Sequence, residues 1–309
     1  MAADASPVGL VAELTHRCPL GCPYCSNPLA LEPGEDELDA ATWSRVFTEA
    51  AALGVLHVHL SGGEPGARRD LVDIAANARE AGLHTKLITS GVGISTRTLR
   101  DLWEAGLEHV QVSFQDSDAV SADRIAGRRG AFQQKYAVAA ESVRLGLPLT
   151  VTVVLHRANI ERVGDMVALA LGLKATRIEI AHVQYFGWAL KNRSALTPTA
   201  AQVRRADAEI EELRRKHDDK IVIDVVASDD YGWGRRSLNV SPSGLVLPCR
   251  AAESILGLEF WNVRDRPLAD IWANSPALNA FRGADFPPHQ ACTELPGAQE
   301  DFGYVYRRM

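Results

Sequence analysis

Residues 8–25 read VGLVAELTHRCPLGCPYC, in which an apolar run with strand character leads directly into three closely spaced cysteines. The run predicts a first strand over Val8–Leu14, and Cys18, Cys22 and Cys25 follow it with the spacing C-x3-C-x2-C. A disulfide framework in a chain of 309 residues would normally use an even, dispersed set of cysteines, whereas three of these five are clustered. The clustering predicts metal binding in a reducing compartment.

The strand-then-helix order of this segment repeats along the chain as far as residue 226. Short β-branched and apolar runs alternate with helical stretches that often end at a glycine, which is typical of βα units with parallel strands. Further strands are predicted at 55–60, 85–89, 109–114, 149–155, 177–181 and 221–226. The intervening helices are predicted at 42–53, 70–81, 97–105, 132–145, 160–171 and 200–216. Such a series predicts a closed or partly open barrel, or a doubly wound sheet, and both bind ligands at the carboxyl ends of the strands.

The pattern changes after residue 226, which predicts a domain at 1–226 followed by a small irregular extension at 227–309. We expect a loop at 229–234, a hairpin at 238–248 and a helix at 268–281.

Composition excludes several classes of function. The net charge of −6 and the aromatic content of 6% give no sign of the basic face or stacking platform that nucleic acid requires. The sequence lacks an apolar run of the roughly 20 residues that span a bilayer, and it begins without the basic and apolar blocks of a signal peptide. We therefore expect a cytoplasmic protein that binds neither nucleic acid nor membranes.

The cysteine spacing is compatible with two kinds of metal centre. Three thiolates can hold three irons of a [4Fe-4S] cluster and leave the fourth iron open to a chelating cofactor. Zinc also takes thiolates, but a structural zinc site normally has four ligands. The sequence has no fourth cysteine nearby, and His16 is only two positions before Cys18, so the iron–sulfur interpretation is favoured.

A second motif, Ser61-Gly62-Gly63-Glu64-Pro65, follows the second predicted strand. Glycines let a backbone approach a ligand closely, and a carboxylate after them can receive an ammonium group. Such a turn is often plain loop geometry, but its position beside the cysteine loop favours a ligand role.

Together these motifs resemble those of the radical S-adenosylmethionine (SAM) superfamily. Within it, the chain resembles the enzymes of pyrroloquinoline quinone biosynthesis, the PqqA peptide cyclase family, from Gly9 to about Arg282. The segments that carry the resemblance are CPYCSNPL at 22–29, VHLSGGEP at 58–65, QDSD at 115–118, DRIAG at 123–127, AHVQYFGWALKNR at 181–193 and GLEFWNV at 257–263.

The resemblance implies a partial (β/α)6 barrel in which Cys18, Cys22 and Cys25 hold one [4Fe-4S] cluster. It also implies that one electron from the cluster cleaves SAM to methionine and a 5'-deoxyadenosyl radical. The residues implied in SAM binding are Gly62, Gly63, Glu64, Thr89, Ser113 and Gln115. The implied substrate is a ribosomal precursor peptide like PqqA, in which a glutamate and a tyrosine become joined by a carbon–carbon bond. The implied partners are a small peptide chaperone like PqqD and an electron donor such as flavodoxin.

The extension departs from the family pattern. The family carries two further iron–sulfur clusters in a SPASM-type region, whereas 227–309 contains two cysteines, Cys249 and Cys292. Two cysteines are too few for two clusters of about four ligands each, so we expect the auxiliary clusters to be absent. Cys249 and Cys292 are then interpreted as buried or idle thiols, with a cluster shared across a dimer or with the chaperone as the alternative.

Two functional alternatives follow from this departure. The chain could be a relative that binds SAM or peptide without completing the crosslink, or a zinc-binding α/β protein. Candidate peptide contacts are the side chains of Val183, Tyr185 and Trp188, with His182 and Gln184 between them, although such a group can also line a core.

Overall fold

A single open sheet organises the part of the chain that the computed structural model describes, which is residues 6–29, 31, 34–226, 236–254 and 257–282. Its strands are β1 (Gly9–Glu13), β2 (His57–Ser61), β3 (His84–Thr89), β4 (His109–Phe114), β5 (Leu149–Leu155), β6 (Arg177–His182), β7 (Val222–Val226), β8 (Ser237–Val240) and β9 (Val246–Leu247). The strand order is β7-β6-β5-β4-β3-β2-β1-β8-β9, and each neighbouring pair from β1 to β7 is parallel. This is a barrel that does not close, and it confirms the predicted fold class and the seven predicted strands.

Helices connect the parallel strands, and all six predicted in the first 226 residues are confirmed. The helices are α1 (Ala40–Ala52), α2 (Leu71–Glu80), α3 (Thr96–Glu104), α4 (Ala119–Ala126), α5 (Ala131–Arg144), α6 (Val163–Gly172), α7 (Gly187–Lys191), α8 (Arg193–Leu196), α9 (Ala200–His217), α10 (Leu268–Asn274) and α11 (Pro276–Arg282). Local sequence explains their starts: the Asp39 carboxylate accepts from the Thr42 amide (2.8 Å), and Thr199 and Gln202 form a capping box. Among the described residues, we find no helix with the length and apolar character needed to cross a bilayer.

The two faces of the sheet differ in character. On β5, Val151, Val153 and Leu155 are fully buried on the face that packs against the helices, whereas Thr152 and Val154 between them are half-buried. The same alternation occurs on β3 and β6. The helix-facing side thus forms the apolar core, and the concave side, which we call the lumen, stays partly open to solvent.

Three helices were not predicted, and one prediction was wrong. The helices α4, α7 and α8 are short, so their apolar periodicity is too brief to detect. The predicted single helix at 268–281 is two helices, because the proline ring of Pro276 cannot continue a helix and Ser275 before it is extended in ψ (125°). The predicted loop at 229–234 and Cys292 lie outside the described residues.

The extension is continuous with the sheet. The predicted hairpin is confirmed, since β8 and β9 pair antiparallel. β8 also pairs in parallel with β1, so that Leu10 is in register with Leu238 and Ala12 with Val240. The strand that leads into the cysteine loop therefore has the barrel on one edge and the extension on the other.

We expect Leu60→Ala to lower the free energy of unfolding by about 2 to 5 kcal/mol, because the fully buried side chain would leave a cavity between β2 and the helices. Leu56→Ala is the matched control, since Leu56 is 66% exposed and its replacement should change stability by less than about 0.5 kcal/mol. Urea unfolding measures both values. Equal effects of the two substitutions would contradict the assignment of the core to this face.

Candidate active site

The three cysteines lie on the loop after β1, and two of the helices that were not predicted hold this loop in place. The amide of Gly21 donates to the carbonyl oxygen of Ala126 at the end of α4 (2.9 Å). The amide of Ala189 in α7 donates to the carbonyl oxygen of Cys25 (3.0 Å). The loop is therefore fixed by elements that are far from it in sequence.

The thiols of this loop are suited to binding metal. Burial raises the pKa of Cys22 to about 11, and the adjacent Cys25 and Cys18 add to the rise. Burial also raises the pKa of Cys18. A thiol with a raised pKa is a poor nucleophile at neutral pH, but it ionises when a metal replaces its proton. Burial therefore disfavours a nucleophilic role for Cys18 and Cys22 at neutral pH.

The glycines of the second motif make room for the cysteine loop. A Cβ on Gly62 would overlap the carbonyl oxygen of Thr15, and one on Gly63 would lie 2.5 Å from the carbonyl oxygen of His16. Gly62 also has φ +133°, which side chains other than glycine rarely adopt. The motif needs glycine here for packing of backbone against backbone, and contact of the same glycines with SAM stays a prediction.

The Glu64 carboxylate is fully buried and is held by the turn after β3. Oε1 accepts from the Thr89 hydroxyl (2.6 Å) and the Gly66 amide (2.9 Å), and Oε2 accepts from the Ser90 amide (2.6 Å) and hydroxyl (2.5 Å). The structure thus brings together two of the predicted SAM residues, Glu64 and Thr89. Their mutual hydrogen bond fixes the orientation of the carboxylate at the carboxyl end of the sheet.

A buried lysine that was not predicted lies among these groups. Lys135 on α5 is 0% exposed, and its Nζ donates to the carbonyl oxygen of Ser113 (3.0 Å). Burial lowers its pKa to about 8, while the charges of Cys22 and Glu64 oppose the shift. A buried cation is costly unless an anion accompanies it. Lys135 therefore supplies positive charge where thiolates and an anionic ligand would bind.

The ends of β4 and β5 add further polar groups. Gln115 is buried with its Nε2 3.9 Å from Cys22 Sγ, so this predicted SAM residue does lie beside the cysteine loop. The rings of Tyr24 and His156 lie 5.3 Å apart between centroids, and His156 Nε2 is buried without a hydrogen-bond partner among the described residues. Buried polar atoms rarely lack a partner, so this one fits a ligand that supplies the hydrogen bond.

Space for a cofactor lies beside the first cysteine. A cavity of about 340 Å³ opens between the cysteine loop and the turns after β2 and β3. It is lined by Arg17, Cys18, Pro19, Gly66, Ala67, Val92 and Gly93.

The extension reaches this site through one arginine. Arg250 Nε donates to Glu13 Oε1 (2.5 Å), and its guanidinium also lies 3.3 Å from the carbonyl oxygen of Gly62. Burial alone would raise the pKa of Glu13, but the Arg250 charge and hydrogen bonds from His16 and Asn239 lower it to about 2. This network joins β1, the turn after β2 and the segment after β9.

Lys135, His156 and Arg250 are the polar groups of the site that the sequence interpretation missed. A signal exists for the lysine: on α5 the buried positions Phe132 and Val138 are each three residues from Lys135, so it interrupts an apolar stripe. The other two carry no local signal, because their burial depends on residues distant along the chain.

Solved structures share this fold. Crystal structures of Streptococcus suis SuiB bound to S-adenosylmethionine and to its precursor peptide SuiA superpose with TM-scores of 0.75 and 0.74 at 18% identity, covering 90% of this chain and 68% and 67% of theirs. A structure of native anSMEcpe with bound AdoMet and Kp18Cys peptide superposes with a TM-score of 0.70 at 13% identity, covering 89% of this chain and 82% of that one.

Sequence comparison identifies the class. Residues 12–170 match the Radical SAM superfamily, and residues 232–294 match SPASM, an iron–sulfur cluster-binding domain. With the cysteine loop and the glutamate turn at the carboxyl end of an open parallel barrel, the chain is a radical SAM enzyme, a class that binds a [4Fe-4S] cluster and SAM.

The particular family follows from closer relatives. The PqqA peptide cyclase of Methylocella silvestris is 57% identical over 96% of this chain and 82% of its own length, and that of Rhizobium meliloti is 49% identical over 96% and 81%. The chain belongs to the family of PqqA peptide cyclases.

The lowered pKa of Glu13 predicts a pH-dependent contribution to stability. Its ordinary pKa is 4.5 and its folded value about 2, so the ionised form stabilises the fold above about pH 4.5, and this stabilisation is lost as the pH falls towards 2. We expect Glu13→Gln to cost on the order of 3 kcal/mol at pH 7, and the cost should shrink between pH 5 and pH 3.

Unfolding in urea at several pH values measures this difference. The exposed Glu80→Gln is the control and should change stability little at any pH. A cost of Glu13→Gln that stays constant down to pH 3 would contradict the assigned ion pair.

Proposed function

We propose that this chain joins a glutamate and a tyrosine of a PqqA-like precursor peptide by a carbon–carbon bond in pyrroloquinoline quinone biosynthesis. The observation that carries the proposal is the meeting of the cysteine loop, Glu64 and Lys135 above a lumen that is partly open to solvent. Identity of 57% to a PqqA peptide cyclase supports the substrate class. Forming one bond between two C–H carbons removes two hydrogens from the peptide: one would pass as an atom to the carbon radical derived from SAM, and the other would leave as a proton and an electron, for which the iron–sulfur cluster would be the acceptor.

The described residues supply donors of the chemical kind that both cofactors need, although their side chains are not already gathered into a group of three metal ligands. The three thiols would hold the cluster, and Lys135 would balance part of its negative charge or that of the SAM carboxylate. When bound, the cluster and SAM together supply a carbon radical that abstracts hydrogen. The residues proposed to hold SAM are Gly62, Gly63, Glu64, Thr89, Ser113 and Gln115, with Lys135 added by the structure.

The protein's own contribution would be orientation and exclusion of water. Thr89 and Ser90 hold Glu64 in one orientation before any ligand binds, so little ordering is needed when an ammonium group arrives. Of the predicted peptide contacts, Val183 packs in a small core cluster with Ala189 and Leu196. Tyr185 and Trp188, which follow β6, remain our candidates for peptide contact; Trp188 is 45% exposed, and Tyr185 bonds to Thr197 through its hydroxyl (3.0 Å).

The extension is proposed to be a degenerate SPASM region at 227–309, following a radical SAM domain at 1–226. The SPASM match at 232–294 contains two cysteines, Cys249 and Cys292, and Cys249 is buried at 3% exposure. We infer that these residues do not complete two auxiliary clusters. A chaperone like PqqD would present the peptide, and a donor such as flavodoxin would reduce the cluster, in the cytoplasm.

The cysteine count also supports a second candidate, a relative that binds peptide and SAM without completing the crosslink. The two candidates differ in one product. Anaerobic incubation with the peptide, SAM and a reductant should give a peptide lighter by two hydrogens in the first case. Deoxyadenosine without that mass change would favour the second.

Replacing Cys18, Cys22 and Cys25 together by Ala should remove the cluster and bring the iron content from about four per chain to near zero. Iron and sulfide analysis after anaerobic reconstitution measures this. Cys249→Ala is the control and should keep about four iron. Twelve iron in the unchanged chain would overturn the cluster count, and zinc in the purified chain would overturn the assignment of iron.

Lys135→Met should weaken SAM binding about tenfold or more, because the methionine chain retains the packing and removes the buried charge. Equilibrium dialysis with labelled SAM on the reconstituted protein gives the dissociation constant. The exposed Lys216→Met serves as control and should bind SAM as the unchanged chain does. Equal affinity of the two variants would remove Lys135 from the binding site.

A further inference from the structure

Three basic side chains form a row across the floor of the lumen. His59 on β2 is in register with Lys86 on β3, and Lys86 is in register with His109 on β4. All three are half-buried and lie on the lumen face, since the intervening residues of each strand are buried in the core. Their common orientation depends on strand register, which the sequence alone does not give.

The row carries more basic than acidic groups. Within the described residues, Glu179 is the carboxylate that approaches Lys86, at 3.5 Å between Oε1 and Nζ. Charge-assisted hydrogen bonds of this type are normally about 2.7–2.9 Å, so the pair is loose and leaves Lys86 able to bind a second oxygen. The other Glu179 oxygen accepts from Gln111 Nε2 (2.9 Å), which keeps this carboxylate in place.

Burial keeps the two imidazoles of the row neutral at neutral pH. Burial and then the Lys86 charge lower the pKa of His59 to about 3, and the same two causes lower that of His109 to about 4. Burial lowers the pKa of Lys86, while Glu179 opposes the shift. The remaining groups that act on the row are His57, His84 and Arg177. Lys86 is therefore the charged basic group of the row, and the two imidazoles offer hydrogen bonds without charge.

The row starts below the proposed cofactor site, because His109 is the first residue of β4 and lies four positions before Ser113. Glu179 is in register with Thr152, and Thr152 with Ser113, which is a proposed SAM residue. The Lys86 side chain extends from its lower position on β3 to Glu179 on β6. An anion bound by Lys86 would therefore lie in the lumen on the amino-terminal side of the proposed cofactor site.

We infer that the row His59, Lys86 and His109 binds a carboxylate side chain of the substrate peptide and thereby holds the adjacent C–H bonds below the cofactor. This rests on the proposed function, in which a glutamate is one of the two residues that react. Lys86 is the main contact, the neutral imidazoles can donate further hydrogen bonds, and Glu179 is the carboxylate that the substrate must partly displace.

The test compares two peptides on the full, reconstituted chain: a PqqA-like precursor peptide and the same peptide with its reacting glutamate replaced by glutamine. Isothermal titration calorimetry gives the dissociation constants without any turnover. The unchanged chain should bind the glutamate peptide about tenfold more tightly, which is the effect of one charged hydrogen bond. Lys86→Met should bind both peptides equally, and the exposed Lys216→Met should keep the tenfold preference.

Glu179→Gln should change the affinity for the glutamate peptide in the direction opposite to Lys86→Met. A misfolded variant would not bind this peptide more tightly. It removes the competing carboxylate, so binding of the glutamate peptide should tighten several-fold while binding of the glutamine peptide stays unchanged. The inference is overturned if Lys86→Met keeps the preference, if Glu179→Gln weakens binding of the glutamate peptide, or if the unchanged chain has no preference. Failure of the unchanged chain to bind either peptide would instead refute the proposed function, and the inference with it.

Discussion

The backbone after β1 and the turn after β2 pass so close to each other that a side chain cannot fit between them. The amide of Gly63 donates to the carbonyl oxygen of Thr15 (2.6 Å), and the amide of Glu64 donates to that of Arg17 (2.9 Å). These bonds place the Glu64 carboxylate at a fixed distance from the loop that begins at Cys18. The cysteine loop and the Glu64 carboxylate are thus one rigid unit. Catalysis needs accurate positioning of reacting groups and therefore depends on this contact.

Buried charge is distributed around this unit in a consistent way. Lys135 lies with the thiols and Glu64, Arg250 lies with Glu13, and Lys86 lies with Glu179 in the lumen. Arg250 and Lys86 have carboxylate partners, whereas Lys135 donates to a carbonyl oxygen, and both lysines retain donors that the described residues do not use fully. Unused donors in a low-dielectric site bind anions strongly, so the barrel is prepared for anionic partners at two levels.

The sequence predicted the local features of this molecule well. Each parallel strand has its own run of β-branched residues, and the cysteine spacing and Ser61–Pro65 are contiguous motifs, so both could be read from neighbouring residues. Features that depend on residues far apart in the sequence could not be predicted in this way. The burial of Lys135 and the common face of His59, Lys86 and His109 require knowledge of strand register, and α7 is too short to show periodicity.

The pairing of β8 with β1 has a consequence for how the chain can be divided. Hydrogen bonds from β8 satisfy the backbone of β1 on the side away from β2, over Gly9–Ala12. A chain shortened before β8 would expose this row of amides and carbonyls, and exposed strand edges recruit other chains. The C-terminal region therefore protects the first strand against aggregation, whether or not it ever holds a cluster.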